Sequence, residues 1–258
     1  MSNGEVRYSR DGRIATVIFD RPVALNAMTW QMYEQLAAAC VRIRTEQGVR
    51  VAVFRGAGGK AFIAGTDIAQ FQDFRSADDG LAYEERMESY IEAVETLPVP
   101  TLAVIEGYAI GGGLAIAAAC DLRIATEGSR FGVPIARTLG NCLSMQNYAR
   151  LVAALGAPRA KRMLLLAENL SAEEALAGGF LSEVVAPSDI DRRMKEITDR
   201  LAGHAPITMR VTKEAIRRLL HAGLPGGDDL ARACYGSKDF RIGVDAFVAK
   251  RTPEWTGE

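Results

Sequence analysis

The triplet Gly111-Gly112-Gly113 constrains this chain more than any other feature. It follows Thr101–Glu106, whose apolar run reads as a buried strand, and opens an apolar stretch that reads as a helix ending near Cys120. The first N–H groups of a helix have no intrahelical acceptor and carry the positive end of the dipole. Glycine at that point lets a ligand approach the backbone closely. Such an end can stabilise an oxyanion. The glycines also suit close helix–strand packing, and the triplet by itself favours that plainer reading slightly.

The segments around it alternate in the same way. Ile14–Asp20 is β-branched and alternating, and Val49–Arg55 reads as a second strand. Thr29 can cap a helix running to about Gln47, and another helix covers roughly Gly80–Leu97, ended by Val99-Pro100. Leu122–Thr126 is a further short strand. Strands and helices joined by short connections define the α/β class. Beyond about residue 145 the chain reads as mainly helical. Ser171-Ala-Glu-Glu174 has the pattern of a capping box. Ile190, Met194, Ile197 and Leu201 recur at helical spacing, as do Ile207, Val211, Ala215 and Leu219, with Arg210, Lys213 and Arg217 on the opposite face. Both stripes are expected to pack into a core, with a subunit interface as the alternative. Residues 1–200 are expected to form a core unit and 201–258 a helical region concerned with oligomerisation.

Composition narrows the function. The 258 residues carry 31 Lys and Arg against 32 Asp and Glu, a net charge of −1, so no bulk field favours nucleic acid or an anionic membrane. The four cysteines, Cys40, Cys120, Cys142 and Cys234, form no Cys-x-x-Cys pair, so neither a redox motif nor a zinc site is expected. No signal peptide or membrane span is legible, and a cytoplasmic location is expected. With only two histidines, His204 and His221, histidine general-base chemistry is disfavoured. Gly56-Ala-Gly-Gly-Lys60 fails as a nucleotide loop. Phe54 stands where Walker A needs its first glycine, and Ala61 where it needs Ser or Thr.

Four segments together resemble the crotonase (enoyl-CoA hydratase/isomerase) superfamily. They are Arg21-Pro-Val-Ala-Leu-Asn-Ala-Met28, Gly59-Lys-Ala-Phe-Ile-Ala-Gly-Thr-Asp-Ile68, Val104-Ile-Glu-Gly-Tyr-Ala-Ile-Gly-Gly-Gly113 with Cys120-Asp-Leu-Arg-Ile-Ala125, and the tail Phe240-Arg-Ile-Gly-Val-Asp-Ala-Phe-Val-Ala-Lys-Arg-Thr-Pro253. The resemblance implies a crotonase-type spiral of strand–strand–helix turns with a C-terminal helical trimerisation region, assembled as a homotrimer or a dimer of trimers. It implies an acyl-CoA enzyme, a lyase or isomerase of fatty acid metabolism. Coenzyme A enters as part of the substrate, and no tightly bound cofactor or metal is expected. By position, the oxyanion-hole N–H groups belong to Thr66 and Gly112. Ala24, Leu25, Ala64, Asp67 and Ile68 are expected along the coenzyme A, and Lys250 of a neighbouring subunit at its phosphates.

The chain departs from the pattern where hydratases carry two glutamates. Ala115 stands two residues after Gly113, and Ile135 follows Phe131-Gly-Val-Pro134. Hydration needs groups that both accept and donate protons near neutral pH. Ordinary hydration is therefore doubtful although overall similarity points to the hydratases. Decarboxylation of a malonyl-type thioester is the first alternative, since its first step needs an oxyanion hole and a poorly solvated carboxylate but no base. A non-catalytic acyl-CoA binding protein is the second. In Arg137-Thr-Leu-Gly-Asn-Cys142, Arg137 is read as a carboxylate clamp or a surface arginine, Asn141 as a polar pocket residue, and Cys142 as an inert thiol or a nucleophile activated by Arg137. Tyr83 and Tyr90 are expected to face the acyl pocket or to pack.

Overall fold

The computed structural model describes residues 4–258. The chain runs β1 (Glu5–Asp11), β2 (Ile14–Asp20), α1 (Trp30–Thr45), β3 (Val51–Gly56), β4 (Ala61–Ala64), α2 (Ala77–Glu95), β5 (Thr101–Ile105), β6 (Tyr108–Ile110), α3 (Gly112–Ala119), β7 (Leu122–Thr126) and β8 (Arg130–Gly132). It continues α4 (Ile135–Thr138), α5 (Met145–Leu155), α6 (Ala157–Leu165), β9 (Leu170–Ser171), α7 (Ala172–Ala177), β10 (Glu183–Val185), α8 (Ile190–Ala202), α9 (Pro206–His221), α10 (Asp228–Tyr235) and α11 (Lys238–Val248).

In each of the pairs β3–β4, β5–β6 and β7–β8 the first strand joins one sheet and the second another. The larger sheet has the order β1-β2-β3-β5-β7-β10, and the smaller β4-β6-β8-β9. Pairing from β2 to β10 is parallel, while β1 folds back antiparallel on β2. Parallel strands need crossovers, and the helices that supply them cover the sheets. That is why β3 and β5 are nearly continuous apolar runs, buried on both faces. The advance from β3–β4 to β5–β6 to β7–β8 is the spiral that the sequence leads one to expect.

Local chemistry sets the element ends. Thr29 caps α1 through the Met32 N–H, and Ser171 and Glu174 form the expected capping box on α7. A second box, Ser76 with Asp79, starts α2 three residues earlier than the sequence reading placed it. β1 was not legible, because only Val6 and Tyr8 mark the inner face of Glu5–Asp11, which lies at a sheet edge.

The two helical stripes part company. Ile190 is buried against Val53, Leu102, Val104 and Ile124, with Met194 and Ile197 packed on them, so α8 belongs to the core. On α9, Ile207 is 66% and Leu219 78% exposed, and Val211 and Ile216 are also exposed, so in the single chain this stripe packs into no core. The C-terminal helices α10 and α11 turn back. Ala231, Tyr235, Phe240 and Val244 form a cluster with Ile68, Phe71 and Leu139, roofing the region beside α2.

Candidate active site

The first two motifs are zipped together by a buried asparagine. Asn26 is fully buried. Its Nδ2 donates to the carbonyls of Ala57 (2.9 Å) and Ala61 (2.8 Å), and its Oδ1 accepts from the Arg21 N–H (2.9 Å). Met28 then donates to Gly65 O at 2.9 Å and accepts from the Asp67 N–H at 2.8 Å. These two bonds flank Thr66 on one side of the strand-like backbone. Successive N–H groups of an extended chain point to opposite sides, so the Thr66 N–H is turned away from Met28.

The third motif meets this segment. Gly111 takes φ +54°, which an L side chain tolerates poorly, and starts α3 as its N-cap. A Cβ on Gly113 would sit 2.2 Å from Ile63 O, so this glycine serves helix–strand contact. Gly112 does something different. A Cβ there would lie 2.6 Å from the Tyr33 hydroxyl and 3.2 Å from Thr66 Oγ1, at the surface of a cavity. Tyr33 and Thr66 are themselves hydrogen-bonded at 2.8 Å. Among the described residues, neither the Thr66 nor the Gly112 N–H has a backbone acceptor. Two unspent donors therefore belong to residues that line one cavity, and one of them heads a helix.

The cavity has a volume of about 160 Å³. Its lining includes Ala64, Thr66, Ile68, Gly112, Ala115 and Ile135, with Phe247 contributed by α11. The two apolar residues singled out in the sequence thus both face it. Tyr83 lines it; Tyr90 does not, and stacks behind on Tyr33 with ring centroids 5.4 Å apart. Asn141 lines it and donates to the Tyr235 hydroxyl at 3.4 Å. Arg137 is exposed on α4 and is not among the lining residues, so as a carboxylate clamp for this cavity it is corrected to a surface arginine. Cys142 is half-buried, and its thiol is held well above the ordinary range, first by a hydrogen bond with Cys234 and then by burial. It keeps its proton, so the activated nucleophile is set aside.

The expected coenzyme A residues divide. Ala24 and Leu25 lie in and after a 3-10 turn, Pro22–Ala24, that abuts β4 through Ala64 N–H to Leu25 O at 3.0 Å. Asp67 is ion-paired with Arg21 at 2.9 Å. Lys250 is exposed at the end of α11, three positions beyond Phe247.

One residue was missed. Glu84 of α2 lines the cavity, is buried, and accepts a hydrogen bond from the Tyr235 hydroxyl at 2.5 Å. Burial, the largest influence, raises its pKa from 4.5 to about 7, against the opposing hydrogen bonds from Tyr235 and the Ser144 backbone. A signal existed. Gly80, Glu84, Met87, Ile91 and Val94 fall on one helical face, and Glu84 is the acid on that buried stripe.

Comparison with known proteins agrees with this architecture. Residues 9–258 match the family model described as enoyl-CoA hydratase/isomerase. The short-chain-enoyl-CoA hydratase of Clostridium acetobutylicum is 31% identical over 98% of each chain. An enoyl-CoA hydratase/carnithine racemase from Magnetospirillum magneticum is 33% identical, with a TM-score of 0.80 over 98% of this chain and 96% of that one. A methylmalonyl-CoA decarboxylase in complex with 2-nitronate-propionyl-CoA is 26% identical but superposes with a TM-score of 0.90 over 98% of both chains. The family match and the fold place the chain among acyl-CoA enzymes. The chain belongs to the enoyl-CoA hydratase/isomerase family.

Proposed function

We propose that the Thr66 and Gly112 N–H groups hold the oxygen of a short-chain acyl-CoA thioester, and that the reaction is decarboxylation of a malonyl-type thioester through its enolate. The observation that carries this reading is the pairing of two unspent backbone donors with apolar walls, Ala115 and Ile135, around one small cavity. Loss of the carboxylate leaves an electron pair that spreads onto the thioester oxygen, where fixed donors stabilise it without reorganisation. Apolar walls beside the scissile carboxylate deny it water, which favours CO2 as the uncharged product. A volume of about 160 Å³ suits a group about the size of a benzene ring, hence a short acyl chain. The similarity in shape to a methylmalonyl-CoA decarboxylase adds support.

Hydration of a short enoyl-CoA is the second reading, favoured by the 31% identity to a short-chain-enoyl-CoA hydratase. Incubation with methylmalonyl-CoA and with crotonyl-CoA separates the two. CO2 release with little hydration is expected. Hydration without CO2 release would replace the first reading by the second, and tight binding with no turnover of either would make the chain a binding protein. The exposed stripe of α9 supports assembly as a homotrimer or a dimer of trimers, with Lys250 brought to a neighbour's coenzyme A.

A further inference from the structure

We infer that Glu84 is the acid that delivers a proton to the α carbon of the bound enolate, and that Tyr235 positions it. This rests on the enolate chemistry proposed above. Glu84 is the one carboxyl group among the described residues lining the cavity, which it shares with Thr66, Gly112 and Ala115. Its contact with Tyr235 is built into the sequence at a second place. One turn before Glu84, a Cβ on Gly80 would lie 2.1 Å from Tyr235 Cγ, so only glycine lets that ring settle against α2. Asn141 in turn holds the Tyr235 hydroxyl. Two segments distant in sequence thus fix one carboxyl at the cavity wall.

The step balances. The bond from the α carbon to the carboxylate breaks and CO2 leaves, its electron pair forming the enolate. The Glu84 proton then passes to the α carbon, the thioester carbonyl re-forms, and Glu84 takes a proton from water before the next turnover. The titratable groups that interact with Glu84 are Tyr235, Tyr33, Tyr83, Glu88, Cys142, Tyr148 and Cys234, and Glu88 is itself paired with Arg150. Burial keeps Glu84 protonated up to about pH 7, so the turnover rate is expected to fall as pH rises through that value.

The test uses methylmalonyl-CoA as substrate and propionyl-CoA in D2O as an exchange probe. Glu84→Gln is expected to lower CO2 release by about a hundredfold or more, to abolish deuterium exchange at the α carbon, and to leave propionyl-CoA affinity within about threefold. Tyr235→Phe removes a donor to the carboxylate form, so the alkaline fall in rate is expected to move to higher pH. Glu84→Gln with wild-type turnover and exchange would overturn the assignment. Should that variant fail to fold, an unmoved pH profile in Tyr235→Phe would overturn it instead. If the wild type releases no CO2, the decarboxylation reading alone fails. Exchange present in the wild type and absent in Glu84→Gln then still supports Glu84, whereas equal exchange in both, or none in either, overturns it.

Discussion

Gly112 tolerates no side chain without a movement at the cavity, because Tyr33 and Thr66 close in on the space a methyl would take. Gly112→Ala is therefore expected to displace the Tyr33 hydroxyl and misdirect the adjacent N–H while α3 still forms. Losing one fixed donor to an oxyanion costs about 3–4 kcal/mol of transition-state stabilisation, a fall of roughly two to three orders of magnitude in kcat. Steady-state kinetics beside a thermal melt checks this; unchanged kcat in a folded variant would contradict it. Glu84 carries a second expectation at this scale. Its folded pKa, raised from 4.5 to about 7, means that the folded state holds a proton the unfolded chain gives up. The stability this gives is complete below about pH 4.5 and is lost as pH rises through 7, a total of about 3 kcal/mol. Glu84→Gln removes that dependence. Relative to the wild type, its Tm should improve between pH 5 and pH 8; parallel melting curves for the two proteins would contradict the buried-acid reading.

At the scale of elements, α2 organises both the site and the scaffold. Its cavity face bears Glu84, and further along it Glu88 and Glu95 grip Arg150 of α5, at 2.5 and 2.8 Å. Arg150 is almost fully buried, and Glu95 also meets His221 of α9 at 3.0 Å. Removing the cation from a buried cluster leaves carboxylates uncompensated, so Arg150→Ala is expected to cost about 3–5 kcal/mol, read as a lowered midpoint in urea. A midpoint shifted by less than a quarter of that would show the cluster to be solvated. The elements also show what the sequence could and could not convey. β3 and β5 were legible because buried parallel strands write themselves as apolar runs, β2 because its apolar residues alternate, and α3 because glycines precede an apolar helix. β1 was not, because two apolar residues, Val6 and Tyr8, are too few to signal a strand that pairs with β2 through its backbone. Thr66, Gly112, Ala115 and Ile135 were found on motifs contiguous in sequence, and the fold gathers them at one cavity. Glu84 was hidden for the opposite reason. Its partner Tyr235 lies 151 positions away, and three of its near neighbours, Glu85, Arg86 and Glu88, make it look like one more solvated charge.

At the scale of the molecule, the C-terminal helices have two tasks. Helix α10 sets Tyr235 against Gly80 and Glu84 of α2, and α11 adds Phe247 to the cavity lining. Helix α9 leaves Ile207, Val211, Ile216 and Leu219 exposed, apolar surface that calls for a covering partner. Sedimentation equilibrium is expected to give three or six chains per particle, and a double change, Val211→Glu with Leu219→Glu, to shift the distribution towards single chains. A wild-type monomer at micromolar concentration would contradict this. None of these assembly expectations bears as closely on the chemistry as the state of the bound carbonyl. The most direct measurement is the vibrational frequency of the thioester carbonyl in propionyl-CoA labelled with 13C at that carbon. Two preorganised donors at Thr66 and Gly112 should move the stretch below its value in water on binding, and Gly112→Ala should reverse much of that shift. A bound thioester whose carbonyl frequency equals that in water would contradict the account.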